Sequence, residues 1–305
     1  MFLRQFAYLV ALSRERHFGR AAEQCKVSQP TLSTAIRQLE EELGVPIVRR
    51  GRRFEGFTPE GERVLAWAER ILAGRDSLLQ DLSDMRGSLH GHLRISVVPT
   101  AVPVVARLTG PFNQRHPRVT VSATVASSIR IQRGLDSFEL DLGVTYLDNE
   151  PILKVRSIPL YRERYCLLVP SASPLAARKT ITWHEAAAQN LCLLTPDMQN
   201  RRIVDAAFRA AGTAPEPHAE TNSITSLVLH AQSGQWASVA PRHLLVAPGL
   251  PAGVHALDLM EPEVSHTVGL VVADRDPVLP TAKAMLDVVK AFSGRDLFDD
   301  TVLLP

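Results

Sequence analysis

The sequence predicts an α+β protein of several domains: short helices with a two-stranded wing, then one long helix, then an open α/β sheet. Three observations support this fold class. Apolar residues recur at helical spacing in the first ninety residues, and a heptad pattern follows Thr58. Beyond residue 92, short apolar runs alternate with helical segments. A chain of 305 residues is long enough for two or three such domains.

Two short helices are expected at the start of the chain, because apolar residues repeat at helical spacing in two groups. These groups are Leu3, Phe6, Leu9, Val10 and Leu12, then Phe18, Ala21, Ala22 and Cys25. A third helix is predicted after Ser28, which suits an N-cap, with Pro30 tolerated in the first turn. Gly44 ends it. Its apolar stripe consists of Leu32, Ile36, Leu39 and Leu43.

The opposite face of this third helix carries side chains suited to reading DNA bases. Glutamine pairs with adenine and arginine with guanine or phosphate, while threonine methyls and the proline ring meet thymine methyls. The acidic run Glu40–Glu42 would repel phosphates, so the N-terminal half is predicted to enter the major groove. The residues expected to contact DNA are Gln29, Pro30, Thr31, Ser33, Thr34 and Arg37.

Val45–Val48 and Phe54–Phe57 are predicted as the two strands of a wing. The net charge is +2, and the positive excess lies in residues 1–90, which hold 14 of the 34 Lys and Arg residues and 12 of the 32 acids. The turn of the wing carries four of these cations, Arg49, Arg50, Arg52 and Arg53. On charge alone the cluster fits a solvated loop as well as a phosphate-binding patch. We expect Arg50, Arg52 and Arg53 to meet the DNA backbone or the minor groove.

These segments together resemble the DNA-binding domain of LysR-type transcriptional regulators. The similarity covers about sixty residues without a gap and includes all three helices, their turns and the wing. It is carried by residues 18–33 (FGRAAEQCKVSQPTLS), 36–45 (IRQLEEELGV) and 57–61 (FTPEG). The sequence departs from the family at Thr34–Ala35 and at Val48, where a Phe is usual, and these departures bear on the target sequence. The resemblance implies a winged helix-turn-helix over residues 1–58.

A long helix is predicted from Thr58, an N-cap followed by Pro59 and Glu60, to about Arg86. Its heptad positions are Val64, Ala68, Ile71, Arg75, Leu78, Leu82, Met85 and Leu89. The stripe fits either a partner helix or packing on its own domain. The resemblance implies the first, so that residues 59–87 form a linker helix that pairs subunits into a dimer on a partly palindromic site, with a tetramer as the larger assembly.

Residues 88–91 are predicted as a hinge, and an open sheet with helices on both faces follows. The predicted strands are Leu93–Val98, Val119–Thr124, Leu140–Thr145, Tyr165–Val169, Leu191–Leu194 and Ala237–Ala240, and the predicted helices Val102–Arg115, Arg201–Ala211 and Ser223–Gln232. The resemblance implies that residues 92–305 form a two-lobed effector domain like type II periplasmic binding proteins. Lobe I would hold residues 92–163 and 267–294, and lobe II residues 164–266.

Small polar residues follow several predicted strands, where ligands of open α/β sheets meet helix N-termini. This predicts a small organic anion such as a carboxylate as effector, with Arg201 or Arg202 as a clamp. Each Ser, Thr or Asn would equally serve as a helix cap. With the resemblance, the expected contacts are Pro99, Thr100, Ala101, Ser127, Ser128, Tyr146, Arg201, Asn222 and Ile224.

Other classes of protein are less consistent with the sequence. Gly-rich phosphate loops, HExxH and GxSxG are absent, so we expect neither catalysis nor a cofactor, and His90 and His92 lack a third metal ligand nearby. A solute-binding transport protein would leave the first ninety residues unexplained. A thiol-based redox regulator of the same family would need reactive cysteines, whereas Cys166 and Cys192 fall in apolar strands.

A cytoplasmic location is expected. No run approaches ~18 consecutive apolar residues, and the N-terminus lacks the features of a secretion signal. Cys25, Cys166 and Cys192 are odd in number and widely spaced, which indicates reduced thiols.

Overall fold

The computed structural model of the protein describes residues 1–50, 54–87, 89–150, 152–245 and 252–292. These residues form two compact units. One consists mainly of Met1–Leu89, and the other of His90–Leu135 and the chain from Leu140. Within the described ranges, no helix combines the length and apolar character that crossing a bilayer requires.

The first unit begins with the three short helices expected from the sequence: α1 (Leu3–Glu15), α2 (Phe18–Gln24) and α3 (Gln29–Leu43). Ser28 caps α3 by accepting a 3.3 Å hydrogen bond from the Thr31 N–H, and Gly44 ends it with a left-handed φ of 68°. Their inward faces form one apolar core, which includes Phe6, Leu9, Leu12, Leu32, Ile36 and Leu39. The predicted stripe is wrong at Leu43, which is 39% exposed because the helix ends there.

The first strand of the wing is displaced from its predicted position. It is β1 (Val48–Arg50), not Val45–Val48, and it pairs antiparallel with β2 (Phe54–Phe57). Pro46 has no N–H to give to a strand partner. The N–H groups of Ile47 and Val48 are both bound to the carboxylate of Glu40 on α3, and the first pair of the ladder is Val48 with Phe57.

The long helix α4 (Pro59–Asp84) follows the Thr58 N-cap, as the sequence predicts. Its heptad stripe divides into two parts. Val64, Ala68 and Ile71 pack on the core of the helical unit. Leu78, Leu82 and Met85 are exposed in the single chain. The second part therefore presents an apolar surface that its own unit does not cover.

The second unit is a mixed α/β sheet. Its described strands are β3 (Gly91–Val97), β4 (Val119–Val125), β5 (Leu142–Tyr146), β6 (Val155–Pro170), β7 (Thr180–Thr182), β8 (Leu191–Leu194), β9 (Ala219–Thr221), β10 (Ala237–Pro241), β11 (Val254–Met260) and β12 (Ser265–Ala273). Its described helices are α5 (Val102–Arg115), α6 (Ser128–Asp136), α7 (Trp183–Ala187), α8 (Gln199–Ala210), α9 (Ile224–Gln232) and α10 (Pro280–Lys290). The strand order is β4-β3-β5-β12-β6-β10-β8-β9, with β11 paired to β6 and β7.

Strand β6 runs through the whole sheet and divides it into two halves. Residues 155–164 pair antiparallel with β12, and residues 165–170 pair with β10 and β11. We call β3, β4, β5, β12 and the N-terminal part of β6 the first half, and the C-terminal part of β6 with β7–β11 the second half. The sequence predicts only Tyr165–Val169 of this strand, because half of the ten preceding residues are polar and Pro159 stands among them.

Candidate functional site

Helix α3 presents the predicted DNA-contacting face to solvent. Gln29, Pro30, Thr31, Thr34 and Arg37 are exposed and Ser33 is half-buried, while the leucines of the opposite face lie in the core. Of the wing arginines predicted to contact DNA, Arg52 and Arg53 lie outside the described residues, as does the side chain of Arg50.

The base of the wing is attached to both neighbouring helices. The buried carboxylate of Glu40 on α3 accepts hydrogen bonds from the N–H groups of Ile47 and Val48 at 2.8 and 3.0 Å. Thr58, which caps α4, donates its N–H to the carbonyl of Ile47 at 3.0 Å. The sequence interpretation of Glu40 as part of a repelling surface run is therefore corrected, since its carboxylate faces inward and holds the wing.

In the second unit, the ends of β3 and β5 bring two predicted effector contacts together. Pro99–Ala101 form a short 3-10 turn after β3, in which Thr100 and Ala101 are buried. Tyr146 ends β5 and is 1% exposed. Its hydroxyl lies 3.1 Å from Oγ1 of Thr100.

Glu163 on β6 is the centre of this buried polar group. Its Oε1 accepts hydrogen bonds from the hydroxyls of Tyr146 at 2.5 Å and Tyr165 at 3.0 Å, and from Nδ2 of Asn200 at 3.3 Å. Asn200 Nδ2 also donates to the Tyr146 hydroxyl at 3.1 Å. The carboxyl of Glu163 is fully buried, and its Oε2 receives no hydrogen bond from the residues that the structure describes. We call Thr100, Tyr146, Glu163, Tyr165 and Asn200 the Glu163 network.

The network joins the two halves of the sheet. Thr100 and Tyr146 belong to the first half, while Asn200 lies in the first turn of α8, which follows β8 of the second half. A second link runs from Nε2–H of His243, which follows β10, to the carbonyl of Thr100 at 2.8 Å. The His243 ring also packs on Tyr161 with 4.8 Å between ring centroids. Polar contacts around one carboxyl group therefore form part of the junction between the halves.

Burial controls the ionisation of this network. It raises the pKa of Glu163 to about 7, against the hydroxyl and amide donors that favour the charged form. It also raises the pKa of Tyr146 and Tyr165 well above the usual value, and the neighbouring Glu163 carboxylate adds to the effect. Both phenols therefore stay neutral and act as donors at any physiological pH.

Four further residues predicted as effector contacts lie at helix starts. Ser128 is buried at the start of α6, and the carbonyl of the preceding Ser127 accepts the 3.0 Å hydrogen bond from Ile131 that begins that helix. Asn222 is exposed before α9. Ile224 begins α9 and packs with Leu194 and Leu227 of the second half.

Arg201 and Arg202 are already engaged within the protein. Arg201 is buried and binds Asp205 at 2.8 Å, Glu220 at 2.7 Å and the carbonyl of Leu194. Arg202 binds Glu150 at 2.7 Å. The guanidinium of Arg201 thus stabilises the start of α8 rather than extending into open space, and the clamp predicted from the sequence has no support in this geometry.

The cysteines of the second unit are buried in two strands, β6 and β8, that β10 separates. Burial raises the pKa of Cys166 to about 12 and raises that of Cys192 as well. Cys166 on β6 pairs with Ala240 on β10. On the other edge of β10, Ser238 pairs with Cys192 on β8. Two strand spacings place their Cα atoms roughly 10 Å apart or more. A disulfide needs less than about 7 Å.

The sequence interpretation missed four groups of this site, which are Glu163, Tyr165, Asn200 and His243. One signal for them exists in the sequence. Tyr161, Glu163 and Tyr165 alternate along β6, so that a carboxyl group occupies an inward position between two aromatic residues. An ionisable group at such a position is a candidate for function.

Comparison with known proteins covers both units. The family model of the bacterial regulatory helix-turn-helix protein, lysR family, matches residues 3–62, and the LysR substrate binding domain matches residues 86–293. The DNA-binding transcriptional dual regulator OxyR of Escherichia coli is 28% identical over 292 residues, which span 95% of each chain. A hydrogen peroxide-inducible genes activator of Haemophilus influenzae is 28% identical, over 95% of this chain and 98% of its own.

Solved structures agree over nearly the full chain. A full-length OxyR variant from Pseudomonas aeruginosa gives a TM-score of 0.76 at 26% identity, with 95% of both chains covered. CbnR, solved in complex with its target DNA, gives 0.68 at 21% identity, over 95% of this chain and 99% of that one. At this level of identity, the similarity to CbnR shows a shared fold and nothing more.

Proposed function

The chain belongs to the LysR family of DNA-binding transcriptional regulators, and on that premise we propose that an effector bound between the two halves of its sheet controls its action at a promoter. The single observation that supports the DNA-binding part is the exposed row of base-reading side chains on α3, behind which the leucines are buried. Arg50, Arg52 and Arg53 would add contacts to the backbone or the minor groove. Action at a promoter would take place in the cytoplasm, which is the proposed location.

The proposed assembly is a homodimer through α4. Leu78, Leu82 and Met85 are exposed at heptad spacing, and a second copy of the same helix would cover them. Two copies of α3 would then lie on successive turns of a partly palindromic duplex, and two dimers would form a tetramer. The proposed division of the chain is residues 1–58 for DNA binding, 59–87 for the linker helix, 88–91 for the hinge and 92–305 for effector binding, in two lobes.

The proposed effector site lies beside the Glu163 network. Its contacts would come from Pro99, Thr100, Ala101, Ser127, Ser128, Tyr146, Asn222 and Ile224, together with Glu163 and Asn200. Because Asn200 and His243 link the two halves through Tyr146 and Thr100, a ligand that engages these groups favours one arrangement of the halves over another. The shift that it produces equals its difference in affinity for the two arrangements.

A thiol-based peroxide sensor is the alternative within the family, since several relatives are hydrogen peroxide-inducible activators. The cysteine geometry does not favour it. Cys166 and Cys192 are buried, have raised pKa values and are too far apart for a disulfide. We therefore propose control by a reversibly bound small molecule.

The proposed function is tested by the affinity of the full-length protein for a duplex from the region upstream of its own gene, measured by fluorescence anisotropy over a salt series. Arg37→Ala should weaken binding. It should also lower the slope of log affinity against log salt concentration by about one, the value for one lost phosphate contact. Arg115→Ala removes the same charge from an exposed position in the second unit and is the matched control. Thr100→Val should leave the affinity unchanged. Absence of salt-sensitive affinity in the wild-type protein would overturn the proposal.

A further inference from the structure

The charge of the effector is indicated by an oxygen atom that the protein leaves without a donor. Oε1 of Glu163 accepts three hydrogen bonds, while Oε2 is buried and accepts none from the described residues. A buried carboxyl oxygen without a partner destabilises the folded state, and more so when the group is charged. The missing donor is expected to come from a bound molecule.

The network around Oε1 is arranged for an ionised carboxylate. Its hydrogen bond to Tyr146 is 2.5 Å long, which is the length of an O–H···O⁻ bond, and two further donors converge on the same atom. Both phenols remain neutral, because burial raises their pKa. The hydroxyl and amide dipoles thus favour a negative charge on Glu163, and burial of the carboxyl opposes it.

The arginines of α8 do not compensate this charge. Arg201 is bound to Asp205 and Glu220, and Arg202 to Glu150, so both guanidinium groups are balanced by other acids. The Nε2–H of His243 is directed to the carbonyl of Thr100. A buried carboxylate that the guanidinium groups of α8 leave uncompensated is a place for a positive charge.

We propose that the effector carries an ammonium group, as in a small primary amine, whose N–H donates to Oε2 of Glu163. This inference rests on the proposed function, because it names the class of molecule that occupies that site. It replaces the organic anion expected from the helix N-termini. An anion would bring a second negative charge beside a buried carboxylate, and like charges in one site repel.

The test compares thermal unfolding of the full-length protein with small amines and size-matched carboxylates at pH 8 and constant ionic strength. The amines are ethylamine, ethanolamine and 1,4-diaminobutane, and the carboxylates are propionate, glycolate and succinate. A molecule that binds only the native state raises Tm with its concentration. At least one amine should raise Tm, and the carboxylates should not.

Glu163→Gln provides the decisive variant, since it keeps the shape of the side chain and removes the charge. It should abolish the amine-dependent rise in Tm or weaken the fitted affinity at least tenfold. Glu216→Gln removes a carboxylate from an exposed position of the same unit and should behave as wild type. A cooperative unfolding transition in the same experiment shows that each variant is folded, and if Glu163→Gln does not fold, the pH series of the wild-type protein decides.

In that pH series the amine must meet an ionised Glu163, so the rise in Tm should grow from pH 6 to pH 8. A carboxylate ligand that accepts a hydrogen bond from protonated Glu163 would instead give a rise in Tm that shrinks from pH 6 to pH 8. The titratable side chains on the surrounding elements are Tyr146, Tyr161, Tyr165, His243 and His266. Their contribution persists in Glu163→Gln, so the difference between the two proteins isolates Glu163.

The outcomes separate this inference from the proposed function. Amines that leave Tm unchanged, or that act equally on wild type and Glu163→Gln, overturn the ammonium inference. A carboxylate that raises Tm and alters promoter affinity would overturn it while supporting effector control. Loss of salt-sensitive promoter binding in the wild-type protein would instead count against the proposed function itself.

Discussion

The carboxylate of Glu40 accepts the backbone N–H of Ile47 at 2.8 Å, and this bond fixes the base of the wing to the helix that carries the base-reading side chains. A second N–H, that of Val48, meets the same oxygen. The two DNA-facing elements therefore share one buried anchor, and their relative position depends on it.

Glu40→Ala should destabilise the helical unit by about 1–3 kcal/mol, because two backbone N–H groups lose their acceptor. Glu40→Gln keeps an amide oxygen at the same place and should cost less. Urea unfolding followed by circular dichroism gives both values. A Glu40→Ala variant as stable as wild type would show that the anchor is unimportant.

Gly61→Ala should destabilise the same unit, since a Cβ at this position would lie far inside contact distance of the Ile47 carbonyl. We expect a cost of about 1–3 kcal/mol from the forced backbone shift. Gly74→Ala on the same helix meets nothing within 4 Å and should raise stability by about 0.4–1 kcal/mol. Denaturant unfolding should give changes of opposite sign in the free energy of unfolding for the two variants. A Gly61→Ala variant as stable as wild type would contradict this expectation.

Leu82→Asp should lower the molar mass of the particle in solution, because it places a charge in the exposed heptad stripe of α4. Ala66→Asp is the control, an exposed position on the same helix outside the stripe. Sedimentation velocity at several concentrations distinguishes them. If Leu82→Asp self-associates like wild type, α4 is not the dimer contact.

The stability of the second unit should fall as the pH rises from 5 to 8. The folded-state pKa of Glu163 is raised to about 7, so the folded protein binds a proton that the unfolded chain has already lost. The contribution is complete below the unfolded pKa and disappears as the pH passes about 7. Glu185, whose folded pKa is lowered to about 2 by Arg178, contributes in the opposite direction, but that contribution is complete by pH 5.

Differential scanning fluorimetry across this range checks the expectation, with Glu163→Gln as reference. The variant should lose the decline that belongs to Glu163 while other groups titrate as before. The same decline in both proteins would assign it to another residue.

Peroxide should leave promoter affinity unchanged and should not join Cys166 to Cys192. Their pKa values are raised by burial, and the strand that separates them keeps the sulfur atoms apart. Mass spectrometry after peroxide treatment and alkylation detects any crosslink. The Cys166→Ser, Cys192→Ser double variant should respond to effector like wild type, and a lost response would revive the redox alternative.

The sequence predicts this fold best where one local pattern determines the outcome. Helix α3 has a capping serine, an apolar stripe and a terminal glycine, and all three signals agree. Strand β6 was only partly foreseen, because its first ten residues pair with β12 through backbone hydrogen bonds that tolerate polar side chains such as Arg156 and Ser157.

The Glu163 network could not be derived from any single segment. It joins Thr100, Tyr146, Glu163 and Asn200, which are far apart in the chain and meet only when β6 passes between the halves. Arg201 shows the converse. Its position after β8 indicated a ligand clamp, yet acids on α8 and β9 already neutralise it.

Strand β6 is continuous, but its ladder partners change between Arg164 and Tyr165: β12 pairs with the residues up to 164, and β10 and β11 pair with those from 165 onward. No described strand pairs on both sides of this point, so a bend of β6 here breaks no ladder hydrogen bond. Glu163 lies one residue before it, which means that a change in its hydrogen bonds acts directly at the backbone junction of the two halves.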